Sequence, residues 1–90
     1  MTGVPLRRAD VLESVKRMMI SESRLSVSPD QVADDEPLNG TLLRVNSLGF
    51  VGVLMRLEDE LDVTLADDLF VGRSFSTVAE VVDVVMDGAR

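Results

Sequence analysis

The sequence predicts a small all-α domain, a bundle of three to four helices with a long loop between the first two. Apolar residues recur at spacings of three and four in three segments, and a capping residue precedes each segment. No segment shows the strict apolar and polar alternation of a half-buried strand. The chain has 90 residues, 46% of them hydrophobic, enough for one compact core. We therefore expect one domain over residues 1–90, with a helical core over about 9–87.

The first helix is predicted to begin at Asp10, its N-cap, and to run to about Arg24. Four apolar residues at helical spacing define its buried face. They are Val11, Val15, Met18 and Met19.

A long polar connection follows the first helix. Loops of this length are uncommon in small domains unless they are functional or held down by apolar residues of their own. The candidate apolar anchors are Val27, Val32, Leu38, Leu42 and Leu43. We therefore expect an ordered loop.

The second helix is predicted over residues 47–61, with Asn46 as its N-cap. At about 100° per residue, one narrow apolar stripe suffices to face the core. Its members are Phe50, Leu54, Leu57 and Leu61, with Val53 at the edge.

The last helix has a clear start, because Thr77 and Glu80 have the spacing of a capping box. Gly88 is placed to end this helix. A further short helix around residues 67–71 is weakly indicated. The buried stripe of the last helix is expected to be Val78, Val81, Val82 and Val85.

The charge balance restricts the partners. Sixteen acidic and nine basic residues give a net charge of −7. Residues 1–45 hold seven acids and six bases, a net of −1, whereas residues 46–90 hold nine acids and three bases, a net of −6. Such a surface argues against binding to nucleic acid or to anionic lipid, which require basic faces. It suits protein partners with basic docking patches.

Cysteine and histidine are both absent from the sequence. This excludes disulfides, the usual zinc sites and Ser-His or Cys-His nucleophile pairs. A faint similarity to a calcium loop after Asp35 fails at Pro37 and at Asn46, where a bidentate Glu is required. We therefore expect neither a metal site nor an enzyme. With no signal peptide and no membrane span in the sequence, we expect a cytoplasmic protein.

The second helix carries more apolar surface than one stripe needs. Leu48, Val51 and Met55 form a second stripe, rotated away from the first. A helix with two neighbours would bury both stripes. Alternatively, the second stripe is a partly exposed surface that meets several partners in turn, with the adaptable side chain of Met55 near its middle. The pattern alone leaves both interpretations open.

The segment from Leu43 to Val63 resembles the acyl carrier protein family. In that family a Leu-Gly-x-Asp-Ser-Leu motif begins the second helix, and this chain has Leu43-Arg44-Val45-Asn46-Ser47-Leu48 at that point. The long first loop, the Glu-Asp-Glu-Leu-Asp-Val sequence that closes the second helix, and the Thr77-Val78 start of the last helix also match. The resemblance covers nearly the whole chain.

The resemblance implies that Ser47 carries 4′-phosphopantetheine, transferred from coenzyme A, and that the chain holds an acyl group as a thioester. The implied partners are a phosphopantetheinyl transferase and acyl-loading and acyl-processing enzymes with basic docking patches. The residues expected to contact them are Leu48, Val51, Met55, Glu58, Asp59 and Asp62. We expect a monomer.

Three positions near Ser47 depart from the family pattern. Asn46 replaces the usual Asp, which preserves a helix cap but removes a charge. Arg44 stands where the family has Gly, and Gly52 where an acid is common. The surface beside Ser47 is therefore less acidic than in most relatives.

Three functions are compatible with the sequence. The first is a discrete acyl carrier protein of polyketide or related biosynthesis, a pathway favoured by the use of eight Arg and one Lys, which hints at a G+C-rich genome. The second is an aminoacyl or D-alanyl-type carrier, which the Ser47-Leu48-Gly49 pattern resembles. The third is an unmodified helical adaptor that uses the second apolar stripe.

Overall fold

The computed structural model describes residues 7–40, 42–65 and 75–88, except for the side chain of Ser47. Within these residues the chain forms three α-helices and a short 3₁₀ helix, with no strand. They are α1 (Arg8–Glu22), the 3₁₀ helix Pro29–Gln31, α2 (Ser47–Leu61) and α3 (Val78–Gly88). The prediction of an all-α fold is confirmed. The short helix predicted around residues 67–71 lies outside the described residues.

Helix α1 begins earlier and ends earlier than predicted. The N–H of Val11 donates to the carbonyl of Arg7 at 3.0 Å, so Arg7 is the N-cap and Asp10 already lies in the first turn. The prediction of Asp10 as N-cap is therefore wrong. At the other end Arg24 adopts a left-handed φ of 58°, which stops the helix at Glu22.

The core is formed by one face of each α-helix. Helix α1 packs against both α2 and α3 and therefore lies at the centre of the bundle. Burying a Val or Leu side chain stabilises the fold by about 1.5–3 kcal/mol. The fully buried helical residues are Val11, Val15, Met19, Val53, Leu57, Val78, Val81, Val82 and Val85. The predicted faces of α1 and α3 are confirmed, with Met18 also buried.

The long loop between α1 and α2 is held by the apolar anchors predicted from the sequence. Val32, Leu38 and Leu43 are buried, while Val27 and Leu42 pack half-buried against the core. These contacts tie the described parts of the loop to the core.

The backbone of this loop is also joined to the start of α3. The N–H of Leu38 donates to the Ser76 carbonyl at 2.9 Å, and the N–H of Val78 donates to the Glu36 carbonyl at 3.0 Å. Because Val45 in turn donates to Leu38 at 3.0 Å, the residues just before α2 rest on this framework.

Helix α3 begins with the predicted capping box. The N–H of Glu80 donates to Thr77 Oγ1 at 3.3 Å, and the N–H of Thr77 donates to Glu80 Oε1 at 3.0 Å. The same carboxylate accepts the N–H of Ser76 at 2.6 Å. One acidic side chain therefore satisfies two donors ahead of the helix.

Candidate functional site

Asn46 terminates the loop and caps α2, as predicted. Its backbone is extended, with φ −87° and ψ 175°, and its Oδ1 accepts the N–H of Gly49 at 2.7 Å. Its carbonyl accepts the first helical hydrogen bond, from Phe50 N–H at 2.9 Å. Ser47 is consequently the first residue of α2.

The segment before Asn46 is held from two sides. Asn39 Nδ2 donates to the carbonyl of Val45 at 2.8 Å. From α1, the hydroxyl of Ser23 accepts the N–H of Arg44 at 2.8 Å and donates to its carbonyl at 3.3 Å. These bonds define the approach of the chain to Ser47.

The inner face of α2 is the predicted core stripe. Val53 and Leu57 are fully buried, and Phe50, Leu54 and Leu61 pack half-buried against the core. The ring of Phe50 meets that of Phe75, with centroids 5.5 Å apart and planes tilted by 31°. The stripe therefore centres on Val53 and Leu57, and the prediction that Val53 lies at its edge is wrong.

The second apolar stripe is exposed to solvent. Leu48 is 83% exposed, Val51 53% and Met55 65%, which confirms the interpretation of a surface strip over that of a second buried face. We call these three residues the exposed strip. It begins at the residue directly after Ser47 and follows α2 for two turns. Within the described residues these are the large hydrophobic side chains with the greatest exposure.

The acidic end of α2 combines structural and free carboxylates. Glu58 Oε2 accepts the N–H of Leu65 at 2.8 Å and so stabilises the turn that follows the helix. Asp59 and Asp62 are exposed, and Asp62 closes the helix in a left-handed conformation with φ 53°. A role for these three acids in binding partners stays a prediction.

Two ion pairs join α1 and α2 on a face of α2 away from the exposed strip. Arg56 Nη2 lies 3.3 Å from Glu22 Oε1, and Arg17 Nη2 lies 2.6 Å from Glu60 Oε2. Hydrogen bonds to its carboxylate lower the pKa of Glu60, with the larger effect from Arg17 and the smaller from Ser14. The same contact raises the pKa of Arg17.

The sequence did not point to two residues at the site, Glu22 and Ser23. Glu22 ends α1 and Ser23 is its C-cap, and contacts between helices leave no local pattern in the sequence. The one available signal was Gly49, a poor helix former in the first turn of α2.

Within the described ranges, no three acidic side chains converge to hold a metal ion. In that same part of the chain, no helix combines the length and apolar character needed to cross a membrane.

The fold and the site together define a small helical domain whose second helix begins at a serine beside an exposed apolar strip. The family described as the phosphopantetheine attachment site matches residues 17–85, and the chain belongs to this family. No solved structure matches the chain significantly.

The family membership confirms the resemblance seen in the sequence. Its members are carriers and not enzymes, and their prosthetic group is a covalently attached 4′-phosphopantetheine. The chain is therefore a non-catalytic carrier.

Proposed function

We propose that this chain is an acyl carrier protein that holds an acyl group as a thioester on 4′-phosphopantetheine attached to Ser47. The observation that carries the proposal is the position of Ser47, the first residue of an Asn46-capped helix inside the matched region. The exposed strip, which starts at the next residue, supports it. When bound, the prosthetic group supplies the thiol that this cysteine-free chain lacks.

The described residues around Ser47 fit such a group. The first N–H groups of a helix have no intrahelical partner, and the positive end of the helix dipole favours an anion there. Asn46 Oδ1 accepts the N–H of Gly49, the third residue of the helix. Ser47 and the first turn of α2 would hold the phosphodiester. Leu48, the residue after Ser47, is largely exposed, so the surface beside Ser47 is accessible to solvent.

Partner enzymes would dock on the exposed strip and on the acids beyond it. Leu48, Val51 and Met55 supply apolar contact beside Ser47, and an unbranched Met adapts to differently shaped partners. Glu58, Asp59 and Asp62 attract basic patches. The partners are a phosphopantetheinyl transferase and enzymes that load or process the acyl group.

The biological setting is part of the same proposal. The predominance of Arg over Lys favours polyketide or related specialised biosynthesis. We place the protein in the cytoplasm as a monomer, forming one carrier domain over residues 1–90.

The experiment is mass spectrometry after incubation with coenzyme A, Mg²⁺ and a broad-specificity phosphopantetheinyl transferase. We expect a mass gain of one phosphopantetheine group, abolished in Ser47→Ala and retained in Ser26→Ala, which alters an exposed loop serine. A mass gain that persists in Ser47→Ala would show that the prosthetic group is attached to a residue other than Ser47. An unchanged wild-type mass, with a control carrier modified in parallel, would refute both carrier functions.

One alternative has an observation in its favour. The Ser47-Leu48-Gly49 pattern suits an aminoacyl or D-alanyl-type carrier. That carrier would be modified in the same way, and loading of the modified protein with an amino acid in place of an acyl group would identify it.

A further inference from the structure

The carboxylate of Glu22, at the end of α1, lies directly against Gly49 in the first turn of α2. A Cβ atom placed on Gly49 would be 2.5 Å from Glu22 Oε2, 2.8 Å from its Cδ and 2.9 Å from its Cγ. These distances are far below van der Waals contact, so this arrangement requires a glycine at position 49. Gly52, one turn further on, differs, since a Cβ there would meet nothing within 4 Å.

Gly49 is also the residue that binds the helix cap. Its N–H donates to Asn46 Oδ1 at 2.7 Å while its Cα faces Glu22. One glycine therefore connects the end of α1 to the residue immediately before Ser47.

Two consecutive residues, the last residue of α1 and its C-cap, hold the chain on both sides of Ser47. Glu22 contacts Gly49 after it and is fixed from α2 by Arg56, 3.3 Å from its Oε1. Ser23 holds Arg44 before it, through hydrogen bonds of 2.8 and 3.3 Å to its N–H and carbonyl. The last turn of α1 thus fixes the backbone on which Ser47 lies.

The charge of Glu22 complements the start of α2. No acidic residue occurs in the first turn of this helix, where the positive end of the dipole favours a carboxylate. Glu22 supplies that carboxylate from a neighbouring helix. Its side chain is one-third exposed and that of Arg56 is 44% exposed, so a methyl group on Gly49 would push the carboxylate toward solvent and break the contact without unfolding the helix.

We propose that Glu22 is a positioning residue for Ser47: through its contact with Gly49 it fixes the first turn of α2, and so the backbone that a modifying enzyme must engage. This role rests on the proposed modification of Ser47. Gly49 and Arg56 are seven residues apart, two helical turns, and so share a face of α2. This face is turned away from the exposed strip, so Glu22 acts on the geometry of the serine and not on docking.

The test measures the kcat of a phosphopantetheinyl transferase and its KM for the carrier, with coenzyme A as the donor of the phosphopantetheine group. Glu22→Ala and Gly49→Ala are each expected to lower kcat about tenfold, a modest loss for a displaced reacting group, with KM little changed. The double variant should also lose about tenfold and not a hundredfold, because both changes remove the same contact. Assays are run well below the measured Tm of every variant.

Matched substitutions serve as controls. Gly52→Ala makes the same change in the same helix without a contact, and Glu13→Ala removes an exposed acid elsewhere on α1. Both should keep the wild-type kcat. In ¹⁵N spectra of the unmodified protein, the amide signals of Gly49 and Leu48 should move in Glu22→Ala and stay in place in Glu13→Ala.

Failure of the positioning role and failure of the proposed function are distinguishable. If the wild type is modified and Gly49→Ala and Glu22→Ala match its kcat, the positioning role is refuted while the function stands. Losses that multiply in the double variant would also refute it. A wild type that gains no mass refutes the proposed function, and the positioning role with it.

Discussion

Asn46 is the residue on which the start of α2 depends, because its side chain satisfies the N–H of Gly49 at 2.7 Å. Asn46→Ala should lower the free energy of unfolding by about 1 kcal/mol, the usual value of an N-cap. Asn46→Asp keeps an equally good cap and adds a charge that suits the helix dipole, so its stability should stay within about 0.5 kcal/mol of the wild type. Urea unfolding measures both.

The same pair of variants tests the departure from the family pattern. We expect Asn46→Asp to be modified faster than the wild type by a phosphopantetheinyl transferase, since it restores the Asp of the Asp-Ser-Leu pattern that this segment resembles. Equal rates would show that the missing charge is irrelevant to modification.

Val51 and Met55 are expected to act in binding and not in folding. Val51→Asp or Met55→Asp should raise the KM for the carrier about fivefold, equivalent to about 1 kcal/mol of lost contact. Because both side chains are more than half exposed, stability should change by less than about 1 kcal/mol. KM is measured with a phosphopantetheinyl transferase and Tm by circular dichroism.

Ala33→Asp adds the same charge to an exposed loop position and serves as the control, with KM unchanged. A large loss of Tm in Val51→Asp or Met55→Asp would mean that the strip stabilises the fold, contrary to its exposure.

At the scale of the elements, the start of a helix could be predicted from the sequence where a side chain caps it, and not where no side chain does. Helices α2 and α3 have side-chain caps, and their starts were predicted correctly. Helix α1 has no side-chain cap, and Asp10 was wrongly preferred to Arg7. The contacts of Glu22 with Gly49 and Arg56 could not be predicted, since they depend on how α1 and α2 pack.

The Arg17–Glu60 pair couples the packing of α1 and α2 to pH. Hydrogen bonding to Arg17 lowers the pKa of Glu60, so around its ordinary pKa the unfolded chain binds more protons than the folded protein. The stability it contributes is present above the unfolded pKa and is lost as the pH falls through the lower, folded pKa. The loss should begin near the ordinary Glu pKa of 4.5 and continue as the pH falls below it.

Glu60→Gln should therefore flatten the pH dependence of unfolding over this range. The difference should stay below about 1 kcal/mol, because the Arg17 and Glu60 side chains are 45% and 31% exposed. Urea midpoints at several pH values measure it. Arg17→Gln should give a similar flattening, and wild-type pH dependence in both variants would contradict the assignment.

At the scale of the whole molecule, the negative charge is concentrated in the second half of the chain. Residues 46–90 hold a net charge of −6 against −1 for residues 1–45. Within the described part of the acidic half, Asp59 and Asp62 are exposed at the end of α2, beyond the exposed strip. We therefore expect a basic enzyme to be attracted to this end of α2 and apolar contact to form beside Ser47.

The last prediction follows from this separation of charge and apolar surface. The KM of a basic phosphopantetheinyl transferase for the carrier should rise with ionic strength, because surface charges are screened over about 10 Å at 0.1 M salt. Asp59→Asn and Asp62→Asn should each raise KM about two- to fivefold at low salt and flatten its salt dependence, with kcat unchanged. Asn is suitable at position 62 because it tolerates the left-handed backbone there. Asp30→Asn and Asp35→Asn remove the same charge from exposed positions within residues 1–45. Both should leave KM and its dependence on ionic strength unchanged. An equal effect of all four variants would mean that net charge, and not the end of α2, guides the partner.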